Sequence, residues 1–565
     1  MNKSSFPIHT EEILDKITLL SLLLIISISA VANLPMTFGQ FASNSYIYKF
    51  TVNENGFTTV DVTFQSTENS GSSWVVVPKF SPWNNITVAG AITEFELAET
   101  QTYVGEDYYF YQVFVFSFVS VTSFQMKIQF NMTDGALIIE PRGVFLSSLI
   151  GFHPESVGQS QAEILFSSNY VVKTELIASS SGRSTYTVPD VNRVVFDLQD
   201  NVERLQVEFA PAADEPDWQQ LDQSVFIFRT AERYENYASE ILALYQLVYA
   251  DFTDLFNVTL EDIEVQFFIP EFETLLSVGG FIPFTGQTLG EININIFFVR
   301  AVNGTIQAIA LHELVHHFLW ETGLSPDSFL WVHEGGAQYV SIETVDDLGY
   351  EGADIERTRL EQVASQLISQ TGESFGYLQE WTPANPPADI SRNYAASYYV
   401  VSRLAEEYGG LDFYRQFFRL IRGLEIQTND ELAFHLSLAA NASVDLKLKL
   451  WGFDIRLLYN GSKISPDRIY EAEKALDGLN PVFLPYSLVA ELFYQQALLR
   501  LERGDVNGAN QFLDATILMA NLAPVLTLLT LTAILAVIVY LLYKRSSRPR
   551  LEPPALPPLF EETAA

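Results

Sequence analysis

His312-Glu313-Leu314-Val315-His316 has the form H-E-x-x-H. On a helix, residues four apart share one face, so two imidazoles at this spacing can offer nitrogen to one metal ion. Glu313 projects beside them, within reach of a metal-bound water but off the two-histidine axis. Two neutral imidazoles leave a site incomplete, since catalytic zinc takes three protein ligands and keeps a fourth position for water. The third candidate is Glu334 in Trp331-Val332-His333-Glu334-Gly335-Gly336-Ala337-Gln338-Tyr339. The competing reading is a helix with two surface histidines. Against it, the chain has seven histidines and four of them lie between 312 and 333.

Two elements must position these groups. Ala308–Glu321 reads as a helix with an apolar face (Ile309, Leu311, Leu314, Val315, Phe318, Leu319). Thr322–Ser328 is dense in turn formers. Helical spacing resumes at Phe329 and runs to about Glu343. Two helices joined by a short loop pack antiparallel, which carries Glu334 back towards the histidines.

The pairing of H-E-L-V-H with W-V-H-E-G-G-A-Q-Y resembles the gluzincin peptidases, most closely the aminopeptidase-N and leukotriene-hydrolase family. That family places eighteen residues between H-E-x-x-H and the Glu of W-L-N-E-G-x-A-x-Y. Here there are seventeen, and His333 stands where Asn is usual. The resemblance implies a thermolysin-like α+β catalytic domain and a Zn2+ ion on His312, His316 and Glu334. It further implies Glu313 as general base. The family's catalytic Tyr opens a helix reading roughly Y-x-K-G, and Tyr394-Ala395-Ala396-Ser397 running on to Gly409-Gly410 is the corresponding stretch. Tyr394 would then donate to the tetrahedral oxyanion, although Tyr398 and Tyr399 stand close by. Family aminopeptidases also carry G-A-M-E-N, whose Glu grips the substrate amine. This chain has no such motif; Gly279-Gly280 and Glu291 occupy that region. Glu291 is a displaced substitute at best, so exo- and endopeptidase action both stay open. The resemblance also places a substrate-pairing edge strand near Ile292–Phe298, which would bring Gly279 and Gly280 close to a bound peptide.

Composition narrows the classes. A formal charge of −37 repels nucleic acid and anionic headgroups. The absence of cysteine excludes disulfides, thiolate ligands and cysteine nucleophiles. At 565 residues the chain is long enough for about three domains.

Along the chain, residues 1–32 fit a signal peptide, with an apolar run from Ile17 ending Ala30-Val31-Ala32. Residues 40–212 alternate as strands separated by Gly, Asn and Ser, predicting an antiparallel β-sandwich region. Pro211–Asp217 reads as a linker before a catalytic domain at 218–460. Ile292-Asn293-Ile294-Asn295 alternates with period two, Ile on one face and Asn on the other. Residues 461–520 are expected to form a helical stalk, and Tyr486–Met519 resembles one tetratricopeptide-like hairpin. Leu522–Tyr543 is 22 residues without a charge, long enough to span a bilayer. Lys544, Arg545, Arg548 and Arg550 follow, which makes residues 544–565 a cytoplasmic tail by the positive-inside rule. The six N-x-S/T sequons at Asn85, Asn131, Asn257, Asn303, Asn441 and Asn460 agree with an outward-facing catalytic part.

The expectation is a membrane-anchored extracytoplasmic zinc metallopeptidase acting on a peptide or protein, with no nucleic-acid partner. The alternative is a cell-surface binding or structural protein that uses a peptidase-like fold as a platform. Epoxide or ester hydrolysis at the same site is a third reading, by family analogy alone.

Overall fold

The computed structural model describes residues 44–284, 288–459, 466–502 and 505–547. The expected signal peptide, most of the expected tail, and Thr285–Gln287 in the loop after Gly279 lie outside them. The chain forms two compact units: Met1–Trp218 with two short later segments, and the remainder to Ala565.

The first unit is built from alternating strands. Asn44–Val52 and Thr58–Ser66 bury every second residue, the period-two pattern of a sheet with one face in a core. They lie in a seven-stranded sheet, and four- and three-stranded sheets share its core. That core is aromatic: Phe50 meets Phe145 edge-on at 5.4 Å and Phe64 meets Phe116 at 5.2 Å. The expected all-antiparallel pairing needs one correction. Asn44–Val52 runs parallel to Gln161–Leu165, a pairing across more than a hundred residues that no local turn signal announces. On the four-stranded sheet, Glu208 takes Arg142 at 2.7 Å and Lys173 at 2.6 Å, and its side chain is 3% exposed.

The second unit holds a five-stranded sheet in the order Trp218–Gln223, Phe226–Ala231, Ile263–Phe268, Ile292–Asn295, Gly280–Phe281. Phe226–Ala231, Ile263–Phe268 and Ile292–Asn295 run parallel, and Gly280–Phe281 closes the edge antiparallel. The expected strand 292–298 therefore ends at Asn295 and is not itself the edge. Its Asn face is not open either, because Asn293 and Asn295 are 3% and 0% exposed. Both are buried because both bond: Asn295 Nδ2 donates to Val278 O at 2.7 Å, and Asn293 Oδ1 accepts from Gln266 at 2.8 Å.

Helices pack on this sheet. Glu235–Phe256 buries a stripe including Ile241, Leu242, Tyr245, Val248 and Phe252. Thr305–Glu321 follows the sheet, and Pro326–Asp347 returns beside it. Phe318 stacks on Phe256 at 5.3 Å, and truncating it to Ala would cost about 3–5 kcal/mol.

The segment expected to be a stalk does not stand apart. Pro466–Asp477, Tyr486–Glu502 and the start of Val506–Ser546 share a core with Phe434 and Leu458. Ala497 and Ala509, both 0% exposed, let two of these helices approach closely. Val506–Ser546 is one helix of 41 residues that runs from this core through the charge-free stretch, where most large side chains from Leu528 to Tyr543 are exposed. It is long and apolar enough to cross a membrane.

Candidate metal centre

The helix Thr305–Glu321 starts at Gly304, whose φ of 103° is costly for other residues. Gln307 Oε1 accepts from Gly304 N at 3.0 Å and satisfies one open donor of the first turn. Tyr245 donates to Ala310 O at 2.8 Å, tying this helix to its neighbour just before His312. The helix stops at Thr322-Gly323. A new one begins after Ser325, whose hydroxyl accepts from Asp327 N at 3.3 Å, with Pro326 in its first turn. A kink at Phe329 (φ −136°, ψ 41°) separates that turn from the body that carries Glu334.

This hairpin brings three ligand atoms together. His312 Nε2 and His316 Nε2 are 3.1 Å apart, and Glu334 Oε2 lies 3.2 Å from the first and 3.6 Å from the second. Around a tetrahedral zinc with bonds near 2.0–2.1 Å, donor atoms sit about 3.3 Å apart. The three atoms form a triangle of that size and belong to the set that zinc prefers. Glu334 Oε2 is buried and has no hydrogen-bond partner among the described residues. Its contact with His312 is an ion-pair approach rather than an aligned hydrogen bond. Three converging lone pairs with one orphaned carboxylate oxygen fit a cation.

The electrostatics agree. Burial and the neighbouring imidazoles of His312, His333 and His317 hold His316 well below the usual histidine range, so it is neutral and offers a lone pair. Burial also pushes His312 down, but the adjacent Glu334 and the Glu313 charge more than reverse this and leave it raised.

Glu313 is 5% exposed. Burial lifts its carboxyl to about 8, with His312 lowering it and Glu334 raising it by smaller amounts. Its carboxylate lies against the backbone of the edge strand: a Cβ on Gly280 would sit 2.7 Å from Glu313 Oε1 and 2.8 Å from Asn293 O. Only glycine fits there. Gly279 rests on Ile309, and its carbonyl accepts from Asn295 N at 2.8 Å.

Tyr394 lies in the helix Ile390–Tyr408, which opens on Asp389 as cap and closes at Gly409. Its ring is 6.5 Å from that of His312 and 5.5 Å from Trp381. Burial first, then the charges of Glu334 and Glu313, keep its hydroxyl protonated, well above the usual tyrosine range. Tyr399 is engaged elsewhere, donating to Glu373 at 2.8 Å, and Tyr398 faces the Arg357 and Glu343 charges.

Glu291 is placed differently. Alternation puts it with Asn293 on the sheet face opposite Ile292 and Ile294, where Gln266 donates to it at 3.3 Å. Gly280 pairs with Ile294, so the carboxylate of Glu313 lies on the other face. Glu291 is not brought to the histidines.

Several supporting residues carry no motif. His333 bonds Leu324 O at 2.8 Å and stacks on His316 at 5.7 Å, so it ties the turn to the ligand ring. His317 is buried, held near 4 by burial despite its bond to the Gly290 backbone. His153 caps a short turn and His435 bonds Glu431 O; His9 lies outside the described residues. Asn295 and Tyr245 have no sequence signal beyond residue type, because their partners are backbone carbonyls.

No family model matches the sequence, and no curated protein matches it. Among solved structures, native leukotriene A4 hydrolase from Saccharomyces cerevisiae aligns at 14% identity and a TM-score of 0.31, over 79% of this chain and 74% of that one. The yeast enzyme in complex with bestatin aligns at 14% identity and 0.32, over 86% of each chain. At such scores the chemistry of the site follows from its own residues.

Proposed function

We propose that this chain is a membrane-anchored zinc metallopeptidase whose catalytic unit faces away from the cytoplasm. The observation that carries the reading is the triangle of His312 Nε2, His316 Nε2 and Glu334 Oε2 with a buried Glu313 beside it. His312, His316 and Glu334 would hold the ion. A zinc ion bound there supplies a Lewis acid and lowers the pKa of a bound water.

The chain's own groups do the rest. Beside a bound cation the raised carboxyl of Glu313 would come back down, and as a carboxylate Glu313 takes a proton from the attacking water and returns it to the leaving amine. The Tyr394 hydroxyl, kept protonated, donates to the oxyanion. The edge strand Gly280–Phe281 offers main-chain groups to an extended peptide, with no side chain on Gly280 to hold it off. The positive-inside rule and the sequons support the orientation.

The test uses the purified full-length chain in detergent with added zinc and a mixed peptide library, read by mass spectrometry. Stoichiometric zinc with peptide cleavage is expected. Release of single N-terminal residues marks an aminopeptidase, and internal cuts mark an endopeptidase. A folded, zinc-loaded chain that cleaves nothing overturns the reading in favour of a binding platform.

A further inference from the structure

The thirteen residues from Gly478 to Ala490 carry no charge, between Asp477 and Glu491. They form the turn Pro481–Phe483 and the start of the helix Tyr486–Glu502. This tip buries little of its apolar surface: Val482 is 69% exposed, Leu484 51%, Leu488 56% and, one turn on, Leu492 62%. Apolar exposure this dense on so short a stretch is rare on a water-facing surface.

The tip is placed by a bond to the long helix. Tyr486 Oη lies 2.7 Å from Thr530 Oγ1, and the turn Pro481–Phe483 packs on the same helix. A bilayer core takes about 20 helical residues, and counted back from Tyr543, the last residue before Lys544, these begin at Pro524; Thr530 is six residues past it. At 1.5 Å per residue that is about 9 Å along the helix axis. Forward from Tyr486, the first charge is Glu491, about 7.5 Å away along its own helix. The tip thus lies alongside the membrane-crossing stretch, while its first charge stays near the beginning of that stretch.

We infer that the segment Val482–Leu488 dips into the outer leaflet beside the transmembrane helix as a second, non-spanning membrane contact. The inference rests on the anchored reading above. Its occupant is acyl chain and glycerol-level lipid, not an anionic headgroup, because the segment offers no cation. The depth matches that of interfacial apolar segments, about 5–10 Å. Tyr486 sits where tyrosine is favoured, with its ring beside lipid and its hydroxyl bonded to Thr530.

The absence of cysteine makes the test clean. Single-cysteine chains Val482→Cys, Leu484→Cys, Leu535→Cys and Ile355→Cys are labelled with an environment-sensitive fluorophore and placed as full-length protein in phosphatidylcholine nanodiscs. Quenching is compared between a lipid carrying a nitroxide near its headgroup, a lipid carrying one deep in its chain, and aqueous iodide. Labels at 482 and 484 are expected to lose about half their emission to the shallow nitroxide and little to iodide. Label 535 should respond to the deep nitroxide, and label 355 to iodide alone. If 535 responds to lipid while 482 and 484 respond only to iodide, the leaflet contact is wrong and the anchor stands. If 535 also responds only to iodide, the anchor itself fails and the inference with it.

Discussion

Glu313 and Tyr394 touch the reacting atoms in the proposed chemistry but are not ligands, so their removal should separate binding of metal from turnover. Glu313→Gln is expected to keep stoichiometric zinc, by elemental analysis, and to lose about a thousandfold in kcat/KM. Tyr394→Phe should keep zinc and lose about a hundredfold in kcat with KM little changed. A variant that lost zinc and activity together would instead show a ligand or folding role. His333→Ala removes the bond to Leu324 O at the turn. About 1–3 kcal/mol of stability should go with it, read as a lower urea midpoint. The convergence of His312, His316 and Glu334 was legible in the sequence because an i, i+4 pair on a helix is local geometry. Glu334 was reachable because only a turn separates its helix. The work of His333, Tyr245 and Asn295 was not legible, since each is aimed at a backbone carbonyl and a carbonyl leaves no mark in a sequence. Glu291 shows the reverse case: position in the chain suggested a place near the histidines, and strand alternation set the side chain beside Gln266 on the other face.

Among the elements, the crossing of the helices Pro326–Asp347 and Ile390–Tyr408 sets where Tyr394 stands relative to Glu334. A Cβ on Gly335 would lie 2.5 Å from Ser397 O, whereas one on Gly336 would meet Leu319 at an ordinary 3.6 Å. Ala395, Ala396 and Ser397 are all 0% exposed, which explains small residues where a lysine and a glycine would have matched the resembling family. Gly335→Ala should push the helices apart and cost about 1–3 kcal/mol, with a larger fall in kcat than in zinc content. Gly336→Ala should be close to neutral in both. Sequence periodicity found these helices but not their approach, because close packing depends on what lies opposite. The Asn face of Ile292–Asn295 makes a related point: alternation reports polarity, and a polar face that finds partners is buried as readily as an apolar one.

At the scale of the whole molecule, acid should unfold the first unit in part through Glu208. Burial pushes its carboxyl up, but Arg142 and Lys173 outweigh that and leave it below the usual range. A depressed carboxyl stabilises the fold above the unfolded value, about 4.3, and the contribution is lost as pH falls from there through the folded value. Urea midpoints should therefore drop over that acid window, and Glu208→Gln should flatten the drop while lowering the midpoint at neutral pH. In the second unit, zinc should raise the thermal midpoint by mass action, a shift that His316→Ala abolishes. The long charge-free stretch was plain in the sequence; that it belongs to one 41-residue helix whose start shares a core with Phe434 and Leu458 was not, since those two residues lie far away in sequence. That continuous helix is a rod about 60 Å long. In the anchored reading proposed above, one end is held in protein and the other leans in lipid. A thicker bilayer holds such a rod more upright and a thinner one lets it lean. A helix that stays straight through Pro524 turns its held end with it, so in the anchored reading the thickness of the membrane becomes a dial on the direction from which a passing polypeptide meets the edge strand beside Glu313.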